Sequence, residues 1–509
     1  MIFGEKYMLY DLLIQNADIL DGTGAPAYKA NLAIKDGKIA AITMEIPEAK
    51  AVIDAAGKTV SPGWIDSHSH SDRAVLSSPD QKEKVEQGIT FSITGQCGSS
   101  AAPKRDKEGK LELVSAYMER AKSMPQGSSS SMLIGFNTLR AAVLGNANRA
   151  PSSEELEQMK ELLRDAMRAG AMGVSFGLIY VPGCYATTEE VIEIAKVVGE
   201  YNGILASHIR NENERLLEAV EEFLTAIRAS GCRAVFSHHK SSKKQNWGMV
   251  KKSLAMIDAA NAQGCDVYLD VYPYTASHTS MSSTFLPSKY HPEGLKSVKE
   301  LLNNRELLDK IKADRYAMDG DDFSWVFVTY ANGHPEYQGK NLNEIAEMRG
   351  ETDRVETAFN ILRETGCSAN ACYFTMCEDD VEYVMKHPRA MICTDSSVAQ
   401  GSDHFHPRLR ASFPRALGRY VRERGVVTLP EMIRKMTSLP ASVYRLETKG
   451  LIKEGMDADL CIFDPETIID RSEFLNPTAK NEGLAYVIID GKIVAEDGVH
   501  NGIRAAKVY

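Results

Sequence analysis

Between Ser152 and Asp270 the chain alternates amphipathic segments with short apolar runs, and this rhythm constrains its fold more than any other feature. Ser152-x-x-Glu155 is a capping box, and behind it Leu156, Met159, Leu162, Leu163 and Ala166 recur at helical spacing. Gly170 ends that helix, and Gly173-Val174-Ser175-Phe176 reads as a strand. Thr187-x-x-Glu190 opens a second helix, which stops near Gly203 before Ile204–His208. A third, Glu212 to Ser230, precedes Ala234–His238, and a fourth, Met249 to Ala262, precedes Val267–Asp270. Strands alternating with helices at this spacing imply a parallel sheet. The number of units fits a (β/α)8 TIM-type barrel better than the alternative, an open sheet.

Both ends of the chain have a different rhythm. Leu12–Ile19 and Leu32–Ile42 alternate apolar and polar residues around Asp21-Gly22 and Asp36-Gly37, and Asp459–Asp464 and Val487–Ile493 read alike. The expectation is a small β-sandwich domain formed from both chain termini, residues 1–61 plus 449–509, around a barrel at 62–448. At 509 residues the chain is long enough for one large and one smaller domain. The stretch at about 288–347 breaks the rhythm with charged helical segments, and reads as an insertion after the sixth barrel strand. Ser128–Ser131 reads as a loop.

Charge narrows the class of partner. A net charge of -10, with 43% hydrophobic and 25% charged residues, is ordinary for a soluble globular chain and argues against general nucleic-acid or anionic-membrane binding. Met1–Tyr7 lacks a secretory pattern, and no apolar run approaches membrane-spanning length. Nine cysteines with no CxxC pair suit a reducing cytoplasm.

Function in a barrel sits at the C-terminal ends of its strands, and the histidines cluster there. Pro62-Gly63-Trp64-Ile65 leads into Asp66-Ser67-His68-Ser69-His70, where two imidazoles two residues apart face one way. His208 and His238 end two later strands, with His239 a competitor beside His238. Neutral imidazole is a common zinc ligand. Cys97 follows the strand Ile89–Thr94, and a thiolate beside such histidines suits zinc. Asp395 closes the apolar run from Met391 and adds a carboxylate able to accept a proton from water.

Taken together, Pro62–His70, Gly95–Gly98, Gly177–Tyr180, Ser207–Glu212, Ser237–Lys240, Tyr272–Tyr274, Asp395, His406–Leu409 and Gly455–Leu460 resemble the amidohydrolase superfamily and, within it, the D-aminoacylase (N-acyl-D-amino-acid deacylase) family. Many two-metal members of that superfamily bridge their ions through a fourth-strand lysine, and Gly173–Tyr180 contains none. The resemblance implies that Cys97 takes the bridging place. It assigns a tightly held zinc to Cys97, His208 and His238, and a weaker second position to His68, His70 and Asp395. It prefers His238 over His239, makes Asp395 the general base, and points to Arg408 as anchor of the substrate carboxylate, with Tyr180, Lys240 and Ser277 beside it. His404 and His406 receive no role. The implied activity is hydrolysis of small N-acyl-D-amino acids, with no nucleic-acid or membrane partner. A cyclic-amide hydrolase of the dihydroorotase or hydantoinase kind is the main alternative, weakened by the missing lysine. A non-catalytic assembly protein is a third reading, weakened by the retention of all six candidate ligands. The loop Thr275–Leu286 has no lysine or arginine but does carry Met281, Phe285 and Leu286, so uncharged, hydrophobic substrate side chains are expected.

Overall fold

The computed structural model describes residues 9–291, 298–399 and 405–509. Its centre is a ring of eight parallel strands: β1 (Trp64–Asp66), β2 (Ile89–Thr94), β3 (Ser129–Met132, continued by Ile134–Gly135), β4 (Gly173–Gly177), β5 (Ile204–His208), β6 (Arg233–Phe236), β7 (Asp266–Val271) and β8 (Ala390–Ile392). Each pairs with the next in chain order. Beyond β8, Asp395 N–H donates to the His68 carbonyl at 2.9 Å and His70 N–H to the Ser396 carbonyl at 3.0 Å, which closes the ring.

These strands are buried on both faces, which explains why they read as near-continuous apolar runs. Ile65, Phe91, Ile93, Leu133, Ala206, Val235 and Met391 fill the interior, together with Leu439, Val443 and Tyr444. Val174, Phe176, Leu205, Phe236 and Leu269 pack outward against Met159, Leu163, Ile194, Phe223 and Ile257 of the surrounding helices. The helix Ser153–Arg168 carries its expected capping box on Ser152 and Glu155, and Thr187 caps Thr188–Glu200.

The serine-rich stretch departs from expectation. Ser129–Met132 is a strand, with Ser129 paired to Phe91 and Met132 to Thr94. It also takes up the chain's end, where Tyr509 N–H donates to the Ser130 carbonyl at 3.0 Å. Serine has little intrinsic preference for strands, so neighbours supplied from 38 to 379 residues away decide the conformation. The extra strand moves the insertion, which follows the seventh parallel strand and not the sixth. It is also wider than residues 288–347. Ser277–Ser280, Val326–Ala331, Lys340–Asn341 and Ala369–Tyr373 form one antiparallel sheet. That sheet shares a core of Met281, Phe285, Ile311, Phe323, Val328 and Phe359 with its helices.

The terminal segments form one hydrogen-bonded sheet of nine strands. The two ends join where Thr59–Pro62 runs antiparallel to Leu460–Phe463. Leu12, Ile14, Leu32, Ile53, Leu460 and Ile488 share a core within it. Among the described residues no helix is long and apolar enough to cross a membrane.

Candidate metal centre and cleft

The C-terminal ends of the ring strands bring six predicted residues together. His68 and His70 follow β1, Cys97 follows β2, His208 ends β5, His238 follows β6 and Asp395 follows β8. Their donor atoms form two overlapping groups, Cys97/His208/His238 and His68/His70/Cys97/Asp395, with all atoms in each within 4.8 Å of one another. Cys97 Sγ lies 3.3 Å from Nε2 of both His68 and His238. His70 Nε2 lies 3.0 Å from Asp395 Oδ1. His239 turns away: its Nε2 meets Ser253 Oγ at 3.0 Å and its ring packs edge-on against Phe236.

The local backbone is bent to achieve this. Cys97 (φ 51°), His238 (φ 37°) and Asp395 (φ 47°) all occupy the left-handed region, at a cost of about 1–3 kcal/mol each. Local contacts hold each bend. His238 N–H donates to Asp270 Oδ1 at 2.6 Å. Around Cys97 the chain is so close that a Cβ on Gly98 would come within 2.2 Å of Asn137 Oδ1, and one on Gly177 within 2.1 Å of the Cys97 carbonyl. The glycines flanking this cysteine are required by that approach.

Electrostatics favours an ionised thiol at Cys97 and an ionised carboxyl at Asp395, matched by histidines whose protonated forms are favoured beside them. Burial alone would raise the Cys97 thiol, but His68 and His238 outweigh it and hold the group well below its ordinary value. Burial likewise opposes ionisation of Asp395, yet Arg408, His238 and His70 hold its carboxyl well below the usual range. His70 is pushed up to about 9, burial working against the shift and its bond to Asp395 for it.

The donors fit a metal ion on two further observations. Both ring nitrogens of His208 are buried without a hydrogen-bond partner, which is uncommon for buried polar atoms. A thiolate with two imidazoles is also a zinc-type donor set. Behind them stand carboxylates that the strand-end reading passed over. Glu212 Oε1 lies 3.2 Å from His238 Nδ1, and Asp270 Oδ1 lies 3.5 Å from His68 Nδ1. Asp270 ends an apolar run in β7, the same signal that singled out Asp395, and Glu212 stands four residues after His208.

The donors open into a cleft of about 1360 Å³, whose walls come from the ring ends and the insertion. Arg408 lines it, donating to Asp395 Oδ2 at 2.6 Å, with its guanidinium 4.8 Å from the centre of the Tyr272 ring. Tyr180 stands edge-on to His208 with ring centres 5.0 Å apart, and Ser277 lies on the insertion side. Lys240 also reaches the cleft, but its Nζ is 2.6 Å from Glu212 Oε1 and 2.7 Å from His238 Nδ1. His406 is engaged elsewhere: its Nε2–H donates to the Ala276 carbonyl at 2.9 Å and its Nδ1 accepts the Arg408 N–H at 3.0 Å. His404 lies outside the described residues. The loop Thr275–Leu286 corrects one expectation: Met281, Phe285 and Leu286 are buried in the insertion's own core and leave Ser277, His278, Thr279 and Ser280 facing the cleft.

A family model described as "Amidohydrolase family" matches residues 51–495. A D-aminoacylase of Alcaligenes xylosoxydans xylosoxydans is 33% identical over 98% of this chain and 97% of its own length. An N-acyl-D-glutamate deacylase of the same organism is 34% identical over 94% and 93%. The crystal structure of an N-acyl-D-glutamate deacylase from Bordetella bronchiseptica, complexed with zinc and a phosphonate mimic of the tetrahedral intermediate, superposes with a TM-score of 0.85. It is 34% identical and covers 98% of this chain and 99% of that one. The chain belongs to the amidohydrolase family, in the company of the D-aminoacylases.

Proposed function

We propose that this protein is a zinc-dependent hydrolase of N-acyl-D-amino acids, cleaving a linear amide into a carboxylate and a free D-amino acid. The observation that carries the reading is the shared thiol. Cys97 belongs at once to an all nitrogen-and-sulfur donor set and to a set that brings in Asp395, against which Arg408 rests. On this reading Cys97, His208 and His238 hold the tightly bound ion, and His68, His70 and Asp395 a weaker second one. Zinc bound there supplies a Lewis acid that polarises an amide carbonyl and makes a nearby water more acidic. The ring is then a (β/α)8 barrel at 62–448, and the terminal sheet a separate small β-domain.

The chain's own groups supply the rest. Arg408 receives the substrate carboxylate, a planar acceptor that matches a guanidinium; its Nε is buried without a partner and offers a donor for that purpose. Asp395 takes a proton from the attacking water and delivers it to the leaving nitrogen. The incoming carboxylate competes with Asp395 for Arg408, so substrate binding raises the basicity of the base. The Lys240 ammonium donates to both His238 Nδ1 and Glu212 Oε1 and so orients that ring, while Glu212 offsets the charge of Lys240. Tyr180 and Ser277 line the walls.

The substrate side chain is read as uncharged. Among the described residues, the two cations that the insertion turns towards the cleft are already matched, Lys289 to Asp314 at 2.9 Å and Arg315 to Asp319 at 3.1 Å. An unpaired carboxylate buried there is costly. The expected outcome is a higher kcat/KM for N-acetyl-D-leucine than for N-acetyl-D-glutamate, and the reverse order refutes this part.

The main test joins metal analysis to hydrolysis of N-acetyl and N-formyl D- and L-amino acids and of cyclic amides. Chelation should abolish turnover of the D-substrates and zinc restore it. Preferential ring opening of cyclic amides, or full zinc occupancy with no hydrolysis, overturns the reading.

A further inference from the structure

Behind the second donor group lies an ion pair that none of the proposed chemistry uses. Lys84, in the short helix Lys82–Val85, and Asp66, at the end of β1, are both fully buried and 2.9 Å apart. Neither lines the cleft. Lys84 Nζ also donates to Thr394 Oγ1 at 2.9 Å and to the Ser396 carbonyl at 3.0 Å. Asp66 accepts the backbone N–H of Thr394 at 2.8 Å and its hydroxyl at 2.6 Å. Every one of these contacts grips a neighbour of Asp395, and Asp395 is the residue between them with φ at 47°.

A buried ion pair is weak grounds for stability, because desolvation offsets the attraction and an apolar pair of similar volume serves as well. Geometry gives this one a better rationale. A left-handed aspartate relaxes towards extended backbone unless its surroundings over-determine it. Arg408 and His70 hold the carboxylate from the cleft side, where substrate and metal compete for them. Lys84 works from the opposite side, with one ammonium spanning both flanking residues.

We infer that Lys84, paired with Asp66, is a positioning residue for Asp395, clamping Thr394 and Ser396 so that the carboxylate stays aimed between His70 and Arg408. The kinetic part of this inference rests on the proposed role of Asp395; the conformational part does not.

The test is the double variant Lys84→Met/Asp66→Asn, which removes both buried charges and keeps an acceptor for the Thr394 N–H. It should fold and retain the Cys97/His208/His238 metal, while kcat falls about 10²-fold with KM little changed, as for a misaimed group. Its crystal structure should show the Asp395 carboxylate displaced or in several positions. Wild-type kcat in the folded double variant, or a carboxylate within about 0.5 Å of its original place, overturns the clamp. If Asp395→Asn itself keeps full kcat, the reading of the base fails, and the crystal structure still decides the clamp. Should the double variant not fold, Thr394→Val leaves the ion pair whole and removes the hydroxyl, which accepts from Lys84 and from the Ser396 N–H and donates to Asp66. A kcat drop of about 5-fold or more in the folded variant supports the proposal, and an unchanged kcat overturns it.

Discussion

The two donor groups share one sulfur but differ in everything around it. Cys97, His208 and His238 are buried, contain no carboxylate and are backed by Glu212. His68, His70 and Asp395 include a histidine whose side chain is 30% exposed, a carboxylate in strained backbone, and an arginine shared with the cleft. A closed nitrogen-and-sulfur set favours tight retention of a borderline-soft ion, whereas an open set with a carboxylate favours exchange and proton transfer. On the proposed reading the first group holds and the second works.

Removing the shared atom should do the most damage. Cys97→Ala is expected to lose both the tightly bound metal and turnover, measured by metal content and N-acetyl-D-amino-acid hydrolysis. Full zinc occupancy with normal activity would break the comparison at its root. Asp395→Asn should separate the groups: the first keeps its ion while kcat falls by about 10²–10⁴-fold, the usual worth of a general base. A drop of only a few-fold removes the proton-transfer role, and loss of the tight ion recasts Asp395 as mainly a ligand.

Arg408→Ala comes next. A lost charge-assisted pair costs about 1.5–3 kcal/mol, so kcat/KM for free-acid substrates should fall by that amount while C-terminally amidated substrates suffer far less. Equal losses on both would mean that Arg408 acts through Asp395 or the fold. The smallest effect belongs to Glu212→Gln, which preserves shape but weakens the carboxylate that holds Lys240 against His238. Metal affinity should drop by about 10-fold, at the low end for such supporting contacts, with KM unaffected. No change in affinity would sever the backing carboxylate from the holding group.

Much of the site was legible in the chain because strand ends in a parallel α/β fold lie on one face, however far apart they are in sequence. His68, His70, Cys97, His208, His238 and Asp395 each follow an apolar run, and that rule alone collects them. The same rule applied evenly would have included Asp270. Local signals also sufficed for the Ser152 and Thr187 caps, since a cap is made within four residues.

Other features depended on distant partners. Ser129–Met132 is a strand because Phe91–Thr94 lies beside it and Tyr509 returns to it, a polar stretch overridden by its neighbours. Missing it displaced the insertion by one strand. The choice of His238 over His239 turns on a left-handed backbone at His238 and on Ser253, contributed by the following helix. Met281, Phe285 and Leu286 read as a substrate wall in sequence, yet the insertion has a core of its own to fill. Lys84 gave no sign in the sequence, being one lysine among many until the fold sealed it against Asp66. Residue types and their spacing thus determined which donors exist and on which face they gather. Only the tertiary structure decided which way each side chain turns and which neighbour takes up its charge, because those choices rest on contacts between segments hundreds of residues apart.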